Sequence, residues 1–535
     1  MCAPKVIFRK KWSAVTVAAV LTLALPSAAS AEMVYHRGNG GDPETLDPHK
    51  TSLNIEHYIL SDLLEGLVTY DASGAAYPGV AKSWDISEDG TIYIFHFRDD
   101  AKWSNGEPVT AGDFVFSFHR LMTPSTGAKY ATLLYPIKNA KAINTGKLDP
   151  SELGMKAVDD KTLIITLEAP TPYFIEELNS RPALPVYPPA VKRYGDNFVK
   201  PGNMVSNGAY MLQSAVLNAQ VVVVKNPYFH DAKNVAIDKV IFIPTEDRAS
   251  ALRRFIAGEL DSNYQAPLQQ AKWMRENLGR QFRVFSSLGT YFYALNTGKP
   301  PFDDMRVRRA LSMAIDRRFL AEKIWNDVML PGLSFVPPGI ANYGKPVMPD
   351  YANDSMLDRE DEAIALMKQA GYGPGHPLKL ELRYNTGENH KNTALAVADM
   401  WKPLGVETTL VNADIAAHYA LLKNGGDFDV ARVGSVADYP DAQNFLFLVQ
   451  SDNPGYNFAH YRNPKFDELM AQAAHTVDLK ERRDILRQAQ TILEKDAANI
   501  PLLYYTSFNL VSDRLRGWRD NGLDMHLSRW MWIEP

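Results

Sequence analysis

Cysteine is almost missing: the 535-residue sequence has one, Cys2. An internal disulfide needs two, so no crosslink can staple this chain, and sites built from several thiolates are excluded with it. Long apolar runs are as scarce. The most apolar stretch, Ser13 to Leu25, is shorter than the roughly 20 residues a membrane-spanning helix requires. No HExxH, GxSxG or P-loop pattern occurs, which removes the common signatures of metal hydrolases, serine hydrolases and nucleotide binding. The 12 histidines lack metal-ligand spacing on a shared helix face. Gly38-Asn39-Gly40-Gly41 runs into Asp42-Pro43, and that proline opposes the helix N-terminus a phosphate cradle needs, so the segment reads as a turn. No catalytic residue, metal or cofactor is expected.

Positive charge is also in deficit. Lys and Arg number 57 against 62 Asp and Glu, which argues against a nucleic-acid partner. The basic residues that do stand together are informative: Lys5, Arg9, Lys10 and Lys11 precede the apolar stretch, which ends at Pro26, and Ala29-Ser30-Ala31 supplies a small-x-small cleavage pattern. Residues 1–31 are therefore expected to be a cleaved signal peptide. Its removal leaves 53 basic against 62 acidic residues and takes the net charge from -5 to -9. Cys2 precedes the apolar stretch, so it cannot serve as a lipid anchor after cleavage, and the mature chain is expected free in the periplasm.

About 500 residues remain, enough for two or three units with cores large enough to do without disulfides. Strand and helix signals interleave throughout, which predicts an α/β architecture. Ile92 to Phe97, Thr162 to Leu167 and the β-branched run Val221 to Val224 read as strands. Arg359 to Ala370 reads as a helix closed by Gly371, and Lys480 to Ala498 as a helix with one apolar stripe through Ile485, Leu486, Ala489, Ile492 and Leu493. The Pro- and Gly-punctuated stretches 181–189 and 331–349 are not flexible tethers, so crossings between units should be rigid.

Ala81-Lys82-Ser83-Trp84 through Asp89-Gly90, then Phe97-Arg98, then Lys102-Trp103-Ser104-Asn105-Gly106-Glu107-Pro108-Val109-Thr110-Ala111-Gly112-Asp113-Phe114 form a specific pattern. Leu46-Asp47-Pro48, Asn207-Gly208-Ala209-Tyr210, Pro300-Pro301-Phe302 with Arg306-Val307-Arg308, and Ala459-His460-Tyr461 extend it over the whole mature chain. Read from the residues, Asp89-Gly90 is a hairpin-type turn and Pro108 to Asp113 begins a helix. The pattern resembles the family 5 extracellular solute-binding proteins, the peptide, nickel and sugar receptors of ABC importers. That resemblance implies a two-lobed periplasmic-binding-protein-like fold (type II, the large three-domain variant) with hinge closure. Lobe I would hold 32–64, 188–288 and 506–535, an extra domain 65–187, and lobe II 289–505. Such a protein is no enzyme; it binds solute between its lobes, works as a monomer and hands its load to the membrane permease subunits.

Within the family the likeness is nearest to the peptide receptors. It implies that Asp438, in Val436-Ala437-Asp438-Tyr439, pairs with a peptide's α-amino group, and that Arg432 and His390 receive the carboxylate. Charges of both signs suit a short zwitterionic peptide buried between lobes. The resemblance further implies that Ser52 to Asn54 and Gly434, Ser435 and Val436 pair with the ligand backbone as with an added strand, and that Tyr130 walls the site. For the residues alone, Asp438 reads as a turn residue before Pro440, Arg432 as a salt-bridging residue and His390 as a loop residue.

Departures from the peptide receptors are visible. Two cysteines that pair in them correspond to Gly289 and Val436, an aromatic wall to Ser435, and a carboxylate-binding lysine to Trp325. Pocket size and preferred length could differ accordingly, which keeps a cell-wall peptide, an opine or a sugar open as ligand. An exported hydrolase is the alternative of another class, and holding unfolded segments a possible secondary role.

Overall fold

The computed structural model describes residues 1–5, 32–51, 53–128, 130–340, 342–437, 439–453 and 455–534. The apolar stretch and cleavage pattern of the expected signal peptide lie outside these residues, as do Ser52 and Asp438. Residues 1–32 form a unit of their own, and Met33 onward form a second. No helix among the described residues is long and apolar enough to cross a membrane.

Eleven strands make one sheet. In chain order they are β1 (Val34–Gly38), β2 (Tyr210–Val216), β3 (Gln220–Lys225), β4 (Lys239–Ile243), β5 (Ser262–Asn263), β6 (Phe282–Leu295), β7 (Leu330–Pro331), β8 (Leu378–Asn385), β9 (Val406–Ala413), β10 (Val430–Val436) and β11 (Asn499–Val511). Across the sheet the order is β9-β8-β10-β6-β11-β5-β1-β4-β3-β2, with β7 on β11. The two longest strands, β6 and β11, hold the halves together. Phe282 to Ser286 pair with Leu510 to Thr506, Thr290 to Ala294 pair with Tyr504 to Asn499, and the register slips between Ser286 and Thr290. An irregularity there interrupts the ladder and bends the strand where the halves meet.

The apolar cores divide on either side of that slip. One runs from Tyr35 to Phe242 and resumes at Val511 to Met531. Two others, drawn from residues between Leu288 and Leu503, cover opposite faces of the β8-β10-β6 region. A smaller fourth core lies at the junction, with Phe255, Met274, Phe282, Val328 and Leu510. Within the first core a separate four-stranded antiparallel sheet is ordered Ala81–Ile86, Ile92–Phe97, Thr162–Thr166, Met155–Asp159. Ile92–Phe97 alternates more strictly than its sequence indicates: Tyr93, Phe95 and Phe97 are buried and Ile92 is exposed, because helix Ala111–Met122 covers one face.

That helix explains the longest sequence pattern. Thr110 caps its start, accepting from the Asp113 N–H (3.3 Å), while Asp113 accepts from the Thr110 N–H (2.9 Å) and from Trp103 Nε1 (3.1 Å). Lys102 to Phe114 is thus a folding device, not a binding one. Met356–Gln369 is helical and followed by Gly371 at φ 90°. Leu479–Asp496 begins at Asp478, whose side chain accepts from the Glu481 N–H, and ends at Ala497 in the left-handed region. That end comes before the expected Ala498.

Candidate ligand cleft

Strand β10 carries the centre of the site. It pairs with β6 along its whole length, from Leu295 opposite Val430 to Gly289 opposite Val436. On its other side β8 reaches only Val430 and Ala431. From Arg432 onward, one edge of β10 has no strand beside it among the described residues, and Val436 is exposed. The Arg432 carbonyl is bonded to His418 Nε2 (2.8 Å) and the Gly434 N–H donates to the Tyr419 hydroxyl (3.4 Å), so the part of the edge open as a template for another extended chain lies toward Val436. Gly289 and Val436, the positions of the missing cysteine pair, face each other across the ladder.

Arg432 is buried beside that edge. Its Nη1 donates to Asn385 Oδ1 (3.0 Å), Nη2 donates to the Tyr505 hydroxyl (2.7 Å), and the guanidinium lies 4.6 Å from the centre of the Tyr291 ring. Nε has no partner, and among the described residues no carboxylate pairs with this cation. The salt bridge that Arg432 suggests as an isolated residue is formed with no described residue. Burying a cation without a counter-ion is costly, and hydrogen bonds and an aromatic face offset only part of that cost. Gly434 is required next to it, because a Cβ there would press on the Tyr505 hydroxyl and on Arg432 Nη2.

His390 lies in the first turn of helix Glu388–Trp401 and sits against Tyr291 and Trp325, with ring centres 5.5 and 6.0 Å away. Burial, then repulsion by Arg432 and His418, push its pKa down to about 4. At neutral pH the imidazole is uncharged, so of the two expected carboxylate partners Arg432 alone brings a positive charge. His390 Nδ1 is buried without a partner. Trp325 fills the place expected of a lysine, donating from Nε1 to Thr393 Oγ1 (3.0 Å). With His390, Gly387 and Leu268 it bounds a cavity of about 470 Å³.

A second cavity, of about 500 Å³, lies between the two halves. Asn54, Tyr130, Glu176 and Arg181 form one wall, Val436, Ala437 and Pro440 the other, and Tyr505 and Thr506 join them. Ser435, with Gly434 and Val436, opens onto a third cavity of about 380 Å³ walled by Phe292, Phe335, Phe447, Tyr456 and Phe458. The structure thus gathers Asn54, Tyr130 and Val436 around one space and sets Arg432 behind it through Tyr505. His390 and Trp325 border a separate one. Tyr291, Tyr419 and Tyr505, which hold Arg432 and the edge, carry no sequence signal: they come from distant segments and meet through the register of β6, β10 and β11.

Residues 75–457 match the family model of the bacterial extracellular solute-binding proteins, family 5, middle region. This chain belongs to family 5. The periplasmic oligopeptide-binding protein OppA of Salmonella typhimurium is 38% identical over 90% of this chain and 89% of its own. The periplasmic murein peptide-binding protein MppA of Escherichia coli is 39% identical over 95% and 94%, and the probable deoxycholate-binding periplasmic protein YgiS of the same organism 36% over 91% and 90%. Among solved structures, the unliganded open form of MppA superposes with a TM-score of 0.91 at 38% identity, covering 94% of this chain and 98% of that one. OppA of Haemophilus influenzae in complex with RPPGFSPFR gives 0.65 at 36%, with 94% and 99% covered. Coverage and identity are nearly equal, so the backbone of this family 5 protein follows the unliganded open form more nearly than the peptide complex. Membership also places it among binding proteins of transport rather than among enzymes.

Proposed function

We propose that this chain is the periplasmic receptor of an ABC importer, that it binds short peptides between its lobes, and that lobe closure presents the load to the membrane permease. The observation that carries the reading is the juxtaposition at β10: a strand edge with no strand beside it that ends in a cavity, next to a buried guanidinium that has no counter-ion among the described residues. A peptide supplies a backbone for the edge and a carboxylate for Arg432. Asp438 would hold the α-amino group, Ser52, Asn54 and Gly434 to Val436 the backbone, Tyr130 a wall, and His390 with Trp325 the far end of longer ligands. The division of the cores supports lobe II as 289–505; lobe I as 32–64, 188–288 and 506–535 and the extra domain as 65–187 share one continuous core. Residues 1–31 direct export, and the mature receptor acts as a monomer.

A cell-wall peptide is the second reading, favoured by Ser435. Where the resemblance leads one to expect an aromatic wall, the serine leaves the aromatic-lined cavity open to a bulky group. Native mass spectrometry of protein purified from its own periplasm, followed by denaturing release, tests both. A ladder of short peptides supports the first, and one branched or D-residue-containing peptide the second. A single non-peptide solute would overturn both.

A further inference from the structure

On the wall opposite β10, Arg181 presents a second cation whose charge the described residues leave unpaired. Its Nη1 donates to the Leu53 carbonyl (2.7 Å), and its guanidinium lies 4.8 Å from the centre of the Tyr130 ring. Among the described residues no carboxylate lies within ion-pair distance. Glu56 attracts it from farther away, but its two oxygens already accept the Glu44 and Leu53 N–H groups at 3.0 Å. The preceding hydroxyl, Ser180 Oγ, is buried without a partner and borders the same cavity. Two carboxyls line the cavity: Glu176, pushed up to about 7 by burial, then by Asp441 and Asp71, does not cancel the arginine below neutrality, and Asp524 is engaged by Asn509 Nδ2 (2.6 Å) and His526 Nε2 (2.9 Å). His57 beside it is held uncharged by burial and by Arg181, and Tyr70 is the remaining titratable neighbour.

Resting on the peptide reading above, we propose that Arg181, on the platform of Tyr130 and with Ser180, receives a side-chain carboxylate of the bound peptide, so that this receptor selects acidic peptides. The α-carboxylate goes to Arg432 on the other lobe, so Arg181 is left for a second anion. A strand added to β10 sends alternate side chains to opposite faces, which provides a route for one of them into the shared cavity. A planar guanidinium fork recognises a carboxylate through two parallel hydrogen bonds, and Ser180 supplies a third donor.

The test is calorimetric titration at pH 6 of mature protein with isosteric tripeptides carrying Glu or Gln at each position in turn, as free acids and as C-terminal amides. At one position, wild type should bind the Glu peptide at least tenfold tighter than its Gln partner. Arg181→Gln should bring the two within about twofold while keeping affinity for the Gln peptide, which also shows that the variant is folded. Arg181→Lys should fall between. No Glu preference at any position overturns the proposal, and so does equal weakening of both series by Arg181→Gln, the signature of a brace or of an ion pair between lobes. If amidation abolishes the Arg181 effect, the α-carboxylate is the occupant and the proposal is wrong. Failure of every peptide to bind overturns the peptide reading itself.

Discussion

Replacing Arg432 by Met separates the two roles a buried arginine can have. If it exists to receive an anion, the ligand should notice its loss more than the fold does. Arg432→Met removes hydrogen bonds to Asn385 and Tyr505 and the contact with the Tyr291 ring. It also removes the burden of a desolvated charge with no described carboxylate partner, a burden of several kcal/mol. The two effects should cancel to within about 2 kcal/mol, whereas breaking a buried ion pair typically costs about 3–5 kcal/mol. A charge-assisted hydrogen bond to the ligand is worth about 1.5–3 kcal/mol, or roughly 10- to 150-fold in affinity. Denaturant melts of the unliganded protein, with calorimetry on a tripeptide and its C-terminal amide, read both. Wild type should favour the acid at least tenfold, and Arg432→Met should level the two with a nearly unchanged melt. A variant that unfolds like one losing an ion-paired arginine, or that keeps the acid preference, refutes the reasoning.

Three further outcomes are expected. Glu494 is fully buried, accepting from the Phe335 N–H (2.7 Å) and Gln490 Nε2 (2.8 Å), and burial raises its pKa from 4.5 to about 7. An acid with a raised folded pKa gives up stability as pH climbs from its unfolded value through the folded one. Glu494→Gln should therefore gain about 3 kcal/mol at pH 8 and almost nothing at pH 4, read from paired denaturant melts. Tyr173 of the first half stacks on Tyr439 of the second, with ring centres 4.7 Å apart at 3°. If that contact favours the open state by about 0.5–1.5 kcal/mol, Tyr173→Ala should bind ligand roughly 2- to 10-fold tighter, and unchanged affinity would show that it sets no equilibrium. Gly434→Ala should part Tyr505 from Arg432 and lower peptide affinity about tenfold without loss of folding, as measured by calorimetry and circular dichroism.

The fold was legible because its local devices repeat in sequence what they do in space. Thr110 and Asp113 close a helix start within four residues, and the apolar stripe of Leu479–Asp496 follows the helical period. Other motif residues also proved to be fasteners: Arg308 donates to the Phe302 carbonyl (2.8 Å), and the Tyr461 hydroxyl to Asp496 (2.7 Å). The site was legible in part. Arg432 and Tyr130 came from resemblance, whereas Tyr291, Tyr505 and Asn385 reach Arg432 only through strand register, which no window of sequence contains. Nor does charge type reveal charge state. His390 looks like a cation on paper and is neutral in the fold because of what surrounds it. Arg181 went unnoticed since nothing local distinguishes an arginine awaiting a partner from one that has one.

Strand β1 lies between β4 and β5, β5 is hydrogen-bonded to β11 at Leu510 and Val511, and Asp62 accepts from the Ser528 N–H (2.9 Å) and hydroxyl (2.6 Å). Strand β1 thus cannot close its own layer until segments more than 200 and more than 450 residues away along the sequence have joined it. Pairings so remote in sequence form slowly. Until those distant segments arrive, the edges of β1 and β5 stand open to whatever other extended chain is near, so the layer that closes last is also the one most exposed to mispairing.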